Sequence, residues 1–196
     1  RGMRGFFLTR AVSEAIGRGP EGATSLLSGL LPGQPIHCMA QVHGVTILQA
    51  ETLEPGAIPE CDGLVSGERE RVLCVRTADC VPVLAWDDVS GVHGAFHAGW
   101  RGLAGGIIED GLERMRALGA TNIKVAIGPA IGPCCFEVGP EVVAAIGTEF
   151  ASTHGVKPHL DLWRAARARA LTAGIAPLDI QVMRLCTRCQ SRLFFS

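Results

Sequence analysis

Short apolar runs rich in β-branched residues punctuate the chain. Residues 45–48, 72–75, 81–86, 92–96, 123–127 and 180–185 predict strands. Between and after them the period lengthens. Leu103, Ile107, Ile108, Leu112, Met115 and Leu118 fall at helical spacing, and Gly119 supplies a stop. Leu162, Trp163, Ala166, Ala170 and Leu171 form a second helical stripe ended by Gly174, with Arg164, Arg167 and Arg169 on a solvated face. Residues 140–150 predict a third helix with proline at its first position. Several strands follow one another without an intervening helix. The pattern therefore predicts an α/β (α+β) domain with a mixed β-sheet and flanking helices, not a regular doubly wound sheet.

Composition narrows the class. A chain of 196 residues favours one domain with a real core, and 47% hydrophobic against 19% charged residues is a globular balance. A formal net charge of -1 gives no basic excess for nucleic acid or an anionic membrane. No apolar run approaches the roughly 18 residues that span a bilayer, and the apolar stretch near the N-terminus is too short for a signal peptide. The expectation is a cytoplasmic protein. Eight cysteines then read mostly as buried thiols, Cys74 among them, rather than as a disulfide framework. Cys186-x-x-Cys189 resembles half of a redox or zinc site and lacks a partner pair in the sequence.

Three segments carry candidate chemistry: Gln41-Val42-His43-Gly44, Thr77-Ala78-Asp79-Cys80, and His97-Ala98-Gly99-Trp100-Arg101-Gly102. Each sets a potential metal ligand at the end of an apolar strand, among small residues, where it can project into a cleft. Imidazole and thiolate suit zinc. Three protein ligands rather than four leave a position for water or substrate. The spacing matches no local zinc-finger pattern. Taken singly, each histidine also reads as an ordinary packed or surface histidine and Cys80 as an inert thiol.

The same three segments, followed by Gly128-Pro129-Ala130-Ile131-Gly132-Pro133-Cys134-Cys135-Phe136-Glu137-Val138, occur in an order that resembles the laccase-domain family, also called the multicopper polyphenol oxidase or YfiH-like family. His159-Leu160-Asp161-Leu162, Cys186-Thr187 and the terminal Phe194-Phe195-Ser196 extend the likeness from about Gln41 to Ser196. The resemblance implies a single YfiH-like domain over residues 1–196. It also implies one metal, usually zinc, bound by His43, Cys80 and His97. The activity it implies is purine nucleoside phosphorylase, with adenosine deaminase and methylthioadenosine phosphorylase. Purine nucleosides and phosphate would be the partners. A copper-dependent polyphenol oxidase (laccase), or a hydrolase that edits peptidoglycan precursors, is the alternative. Against the family pattern, Thr9-Arg10 runs straight into Ala11-Val12-Ser13, and arginine-bearing segments expected after Ser196 are not in the sequence.

Chemistry ranks these activities. Six histidines, two of them in the motifs, are few for a trinuclear copper cluster, although a His₂Cys set suits a single Cu²⁺. One open zinc suits hydrolytic deamination, because it lowers the pKa of water to about 7. Asp79, beside Cys80, reads either as a catalytic proton shuttle or metal-supporting carboxylate, or as a strand-end turn residue. Arg101 carries the forked donors that favour phosphate, and Gly102 and Gly105-Gly106 lead into a helix N-terminus that suits an anion. His93 falls on the same strand face as His97 and reads as a supporting or a packed histidine. Cys135 is a weaker site candidate. A metal-free rival makes Cys80 a thiolate nucleophile, His97 its base, and Asp79 or Glu137 the orienting group.

Overall fold

Six short strands form the central sheet of the computed structural model, which describes residues 5–10, 19–154 and 156–196. In chain order the elements are α1 (Pro20–Leu30), β1 (Ile36–His37), β2 (Ile47–Gln49), β3 (Gly63–Ser66), β4 (Val72–Leu73), β5 (Val81–Trp86) and β6 (His93–Ala98). Then come α2 (Trp100–Ala104), α3 (Ile107–Ala117), β7 (Lys124–Ile127), α4 (Pro140–Ile146), β8 (Ala151–His154), β9 (Lys157–Leu160), α5 (Leu162–Thr172) and β10 (Ile180–Val182). The sheet order is β10-β7-β5-β6-β3-β2. Its middle pairs, β7/β5, β5/β6 and β6/β3, are antiparallel, and its edge pairs, β10/β7 and β3/β2, are parallel. β1 pairs with β4, and β8 with β9, in two small separate sheets. This is the α+β architecture with mixed pairing that the apolar pattern predicts, with five α-helices among the described residues. None of these helices is long and apolar enough to cross a membrane.

The differences from expectation have local causes. The stripe from Leu103 to Leu118 is two helices, not one. At Gly106 the backbone takes φ +88°, and a Cβ on Gly105 would lie 2.6 Å from Val45 Cγ1, so the chain bends there and Leu103 belongs to α2. The helix expected over residues 140–150 stops at Ile146, where Gly147 (φ 129°) passes the chain to a 3₁₀ turn, Thr148–Phe150. The strand expected from residue 45 starts at Ile47, leaving Val45 39% exposed. Those expected to reach residues 75 and 185 end at Leu73 and Val182. Cys74 is half-buried rather than buried. On the arginine face of α5, Arg164 is exposed, whereas Arg169 is half-buried and paired with Glu109 at 3.6 Å. The junction after Arg10 lies outside the described residues.

The core lies between the sheet and α3 and α5. Phe96 from β6 and Leu103, Ile107, Ile108, Leu112 and Met115 from the two-helix stripe are fully buried. Burial on this scale, at about 1.5–3 kcal/mol per large apolar side chain, supplies the frame that holds the strand ends in place.

One buried acid completes that frame. Asp87, just past β5, is fully buried and accepts backbone N–H groups from Val89 (2.8 Å), Ser90 (3.4 Å), Thr121 (2.8 Å) and Asn122 (3.1 Å). Burial alone would raise its carboxyl pKa. The Thr121 and Asn122 donors, then Val89, outweigh that and hold it well below the usual carboxylate range. Asp87→Ala is expected to cost about 2–4 kcal/mol, because buried donors lose their acceptor. Urea unfolding of the variant measures this. The depressed pKa sets the sign: the stabilisation is fully present above the unfolded carboxylate range and is lost as pH falls below that range towards the lower native value.

Candidate metal centre

The centre is built where three chain segments meet at the ends of β2, β5 and β6. His97 lies on β6, inside the sheet and 3% exposed, in register with Pro82 of β5. Cys80 immediately precedes β5. His43 lies in the turn before β2, with φ +63°, a left-handed conformation that a non-glycine residue keeps only when its surroundings hold it.

What holds it is Asp62. This carboxylate is fully buried one residue before β3. It accepts the backbone N–H groups of His43 (2.9 Å), Gly44 (2.7 Å) and Val42 (3.3 Å), so the turn wraps around one acid. The same acid accepts His97 Nδ1–H at 2.8 Å. With Nδ1 committed as a donor, the His97 lone pair is left on Nε2, the arrangement by which carboxylates orient metal-bound histidines. Burial would raise the Asp62 pKa, but the His97 hydrogen bond and the Gly44, His43 and Val42 donors bring it down. Burial also lowers the pKa of His97, against the opposing pull of Asp62, and so favours the neutral ring that a metal needs.

Two further contacts lock the segments together. Gln41 pairs with the Arg76 backbone in both directions: its Nε2 donates to the Arg76 carbonyl at 2.6 Å and its Oε1 accepts Arg76 N–H at 2.9 Å. The His43 turn is thus tied to the loop that carries Cys80. A Cβ on Gly99 would meet Cys80 Sγ at 3.1 Å and His43 Cδ2 at 3.3 Å, so any side chain there would press on both groups.

The result is that ligand atoms of His43, Cys80 and His97 lie within 4.8 Å of one another, with the two imidazole rings edge to face at 4.8 Å between centroids. Their burial is graded: His97 is buried, Cys80 half-buried and His43 exposed. Such a set can take an ion from the solvent side and keep one face open. Burial, and after it the charges of Asp79 and Asp62, push the Cys80 thiol up to about 11. A thiol raised in this way is mostly protonated at neutral pH, which disfavours a nucleophile without a metal. Two nitrogens and one sulfur, graded in this way, fit zinc.

The other candidates fall in different places. Asp79 also has positive φ (75°), but its Oδ1 accepts the Thr187 hydroxyl at 2.6 Å and its carbonyl accepts Ile131 N–H at 2.9 Å. It serves here as a loop-to-loop tie. Glu137 pairs on the surface with Lys157 at 2.6 Å. The acid that orients His97 is thus Asp62, not Asp79 or Glu137. His93 is buried, with its ring nitrogens on the carbonyls of Gly91 (3.1 Å) and Arg71 (3.0 Å), as a packed histidine. Arg101 sits in the first turn of α2, exposed, with its guanidinium stacked 4.4 Å from the Trp100 ring. Cys186-x-x-Cys189 does have a partner pair, Cys134 and Cys135, brought to it by the fold. The sequence alone does not mark Asp62. Its only signal was a charge between Cys61 and the apolar run Gly63-Leu64-Val65.

Comparison with known proteins identifies the family. Purine nucleoside phosphorylase YlmD of Geobacillus stearothermophilus is 36% identical over 178 residues, which are 81% of this chain and 65% of that protein. Adenosine deaminase RL5, from an unknown prokaryotic organism, is 37% identical over 153 residues, 73% of this chain and 58% of that protein. The chain thus spans somewhat under two thirds of the length of these two relatives. The crystal structure of Geobacillus stearothermophilus YlmD superposes with a TM-score of 0.80 at 34% identity, covering 92% of this chain and 76% of that one. Residues 23–196 match the family described as multi-copper polyphenol oxidoreductase laccase. By that match and by these relatives, the chain belongs to the multi-copper polyphenol oxidoreductase laccase family, whose curated relatives include the YfiH and YlmD purine nucleoside phosphorylases.

Proposed function

We propose that His43, Cys80 and His97 hold zinc, and that the centre serves a purine nucleoside phosphorylase that also deaminates adenosine and cleaves methylthioadenosine. The observation that carries the reading is the convergence of two imidazoles and one thiol within 4.8 Å. A three-ligand set of this kind leaves a coordination position for a reactant. The names of the relatives, purine nucleoside phosphorylase and adenosine deaminase, supply the substrate class. When bound, zinc supplies a Lewis acid and lowers the pKa of water towards 7.

The residues around it divide the remaining work. Asp62 keeps the His97 proton on Nδ1 and turns Nε2 to the cleft. Gly99 keeps the approach open. Arg101, on the first turn of α2 beyond Gly99, offers a bidentate fork to phosphate, and Trp100 under its guanidinium limits its rotamers. Phosphorolysis breaks the C1′–N glycosidic bond and forms C1′–O to phosphate. Deamination replaces the C6 amino group with oxygen from water and releases ammonia. Only the first reaction needs the dianion.

Arg101→Ala is therefore expected to lower kcat/KM for phosphorolysis of inosine by about ten- to a hundredfold, the equivalent of one charged hydrogen bond worth roughly 1.5–3 kcal/mol. Deamination of adenosine should change much less. Chromatography of products from adenosine, inosine and methylthioadenosine, with and without phosphate, measures both. Equal loss in the two reactions would remove Arg101 from phosphate binding. If the zinc form converts none of the three but the copper form oxidises a phenol, the oxidase reading replaces this one. Hydrolysis of a cell-wall amide precursor alone would replace it with the editing hydrolase.

A further inference from the structure

A second group of metal-ligating side chains lies apart from the three ligands of the first centre. The thiols of Cys134, Cys135, Cys186 and Cys189 all lie within 4.8 Å of one another. The two pairs come from separate loops, and the backbone sets them side by side. After β7 the chain turns at Gly132-Pro133, with Cys135 and Phe136 N–H both donating to the Gly132 carbonyl at 2.9 Å. After β10 it returns along that loop. Ala130 bridges Cys186 in parallel, and Thr187 N–H donates to the Ala130 carbonyl at 3.0 Å. A tight turn follows, closed by Gln190 N–H on the Cys186 carbonyl at 2.9 Å.

We propose that these four cysteines form a second, structural zinc site that fastens the C-terminal segment to the Gly132–Phe136 loop. The first observation is spacing. Four sulfurs at about 2.3 Å from one tetrahedral zinc stand about 3.8 Å apart. Here Cys189 Sγ lies 3.6 Å from Cys134 Sγ and 3.5 Å from Cys135 Sγ, and no pair exceeds 4.8 Å. The second is support. Gly132 N–H donates to Cys186 Sγ at 3.3 Å, a bond that favours sulfur as thiolate. The third is access. Cys134 and Cys189 are exposed and Cys186 is buried, so an ion enters from the surface and seats against the buried ligand. Four protein ligands close the tetrahedron, which makes the site structural rather than catalytic. Binding releases the thiol protons to solvent and changes no oxidation state.

The site has a consequence for the first centre. Thr187, next to Cys186, donates its hydroxyl to Asp79, and Asp79 adjoins Cys80. A metal knot at Cys186 therefore steadies the loop that presents the Cys80 ligand.

Metal counting on the purified, reduced chain tests the proposal. The unaltered chain should hold two zinc ions, Cys134→Ser with Cys189→Ser one, and His43→Ala with His97→Ala one. The exposed pair is chosen so that the buried Cys186 stays in place, and circular dichroism checks the fold. The His43→Ala, His97→Ala chain should also bind cobalt with the intense thiolate-to-cobalt absorption of a four-sulfur tetrahedral site. That readout does not depend on the first centre or on activity. If the cysteine variant keeps the full zinc count, or the histidine variant binds cobalt without that absorption, the proposal fails. It fails equally if the chain purified without reductant shows these cysteines paired as disulfides that zinc and thiol cannot replace. Failure of the first centre alone reads differently: the histidine variant would then lose no zinc.

Discussion

Cys80→Ser is expected to abolish turnover of adenosine and inosine while the chain stays folded. Serine's hydroxyl is a poor donor to zinc at neutral pH, so two imidazoles are left to hold the ion. Metal activation contributes several kcal/mol to such reactions, and 4 kcal/mol corresponds to about a thousandfold in rate. A loss of at least that size in kcat/KM, together with loss of one zinc by elemental analysis, is the expected result. The fold should survive because the buried cluster of Phe96, Leu103, Ile107, Ile108, Leu112 and Met115 does not include Cys80. Circular dichroism and turnover on the same preparation decide the matter. Full activity in the variant would remove Cys80 from both the metal and the nucleophile readings. Activity lost with zinc content unchanged would favour the nucleophile.

The parts of this site that are legible in sequence differ from those that are not in physical kind. His43, Cys80 and His97 are legible as candidates because metal-ligating residue types stand at strand ends, and the ordered motifs that resemble the family single them out. The mixed sheet is legible because its strands are apolar runs without helices between them. Asp62 is hidden because its role depends on a turn folding back over it. Nothing local to Cys61-Asp62-Gly63 says that three N–H groups, from residues 42 to 44, will point at its carboxylate. The pairing of Cys134-Cys135 with Cys186-x-x-Cys189 is hidden for the same reason, since β10 must first dock parallel to β7. The break at Gly105-Gly106 could be foreseen as a weak point in a helix. That Val45 would fill the space beside it could not. Asp79 reads two ways in the sequence, as a chemical group beside Cys80 or as a turn residue, and only the fold shows its carboxylate accepting the Thr187 hydroxyl.

Asp62→Ala should have the second-largest effect, and on two quantities at once. The alanine leaves three backbone N–H groups of residues 42–44 without their acceptor and frees His43 from its left-handed turn. Unpaired buried donors cost about 1–3 kcal/mol each. Some will find water, because Val42 and His43 are exposed, so a net loss of about 2–4 kcal/mol is expected. His97 also loses the carboxylate that fixes its tautomer, and loss of such a partner typically weakens metal binding about ten- to a hundredfold. Competition with a chromophoric chelator measures the affinity and urea unfolding measures the stability. Asp62→Asn separates the two effects. Its amide oxygen can still accept one N–H, but its NH₂ faces donors, so affinity should fall with a smaller loss of stability. The pH dependence carries the same signature. Both Asp62 and His97 have depressed pKa values in the fold. Each therefore stabilises the native chain above its unfolded value, and that contribution is lost as pH falls, first below the ordinary histidine range and then through the carboxylate range. Zinc should leave the native chain over the same acid interval. In Asp62→Ala the carboxylate step of the stability curve should shrink and zinc release should begin at higher pH. A variant that binds zinc as tightly as the unaltered chain, with an unchanged acid profile, would show that His97 needs no carboxylate to face the metal.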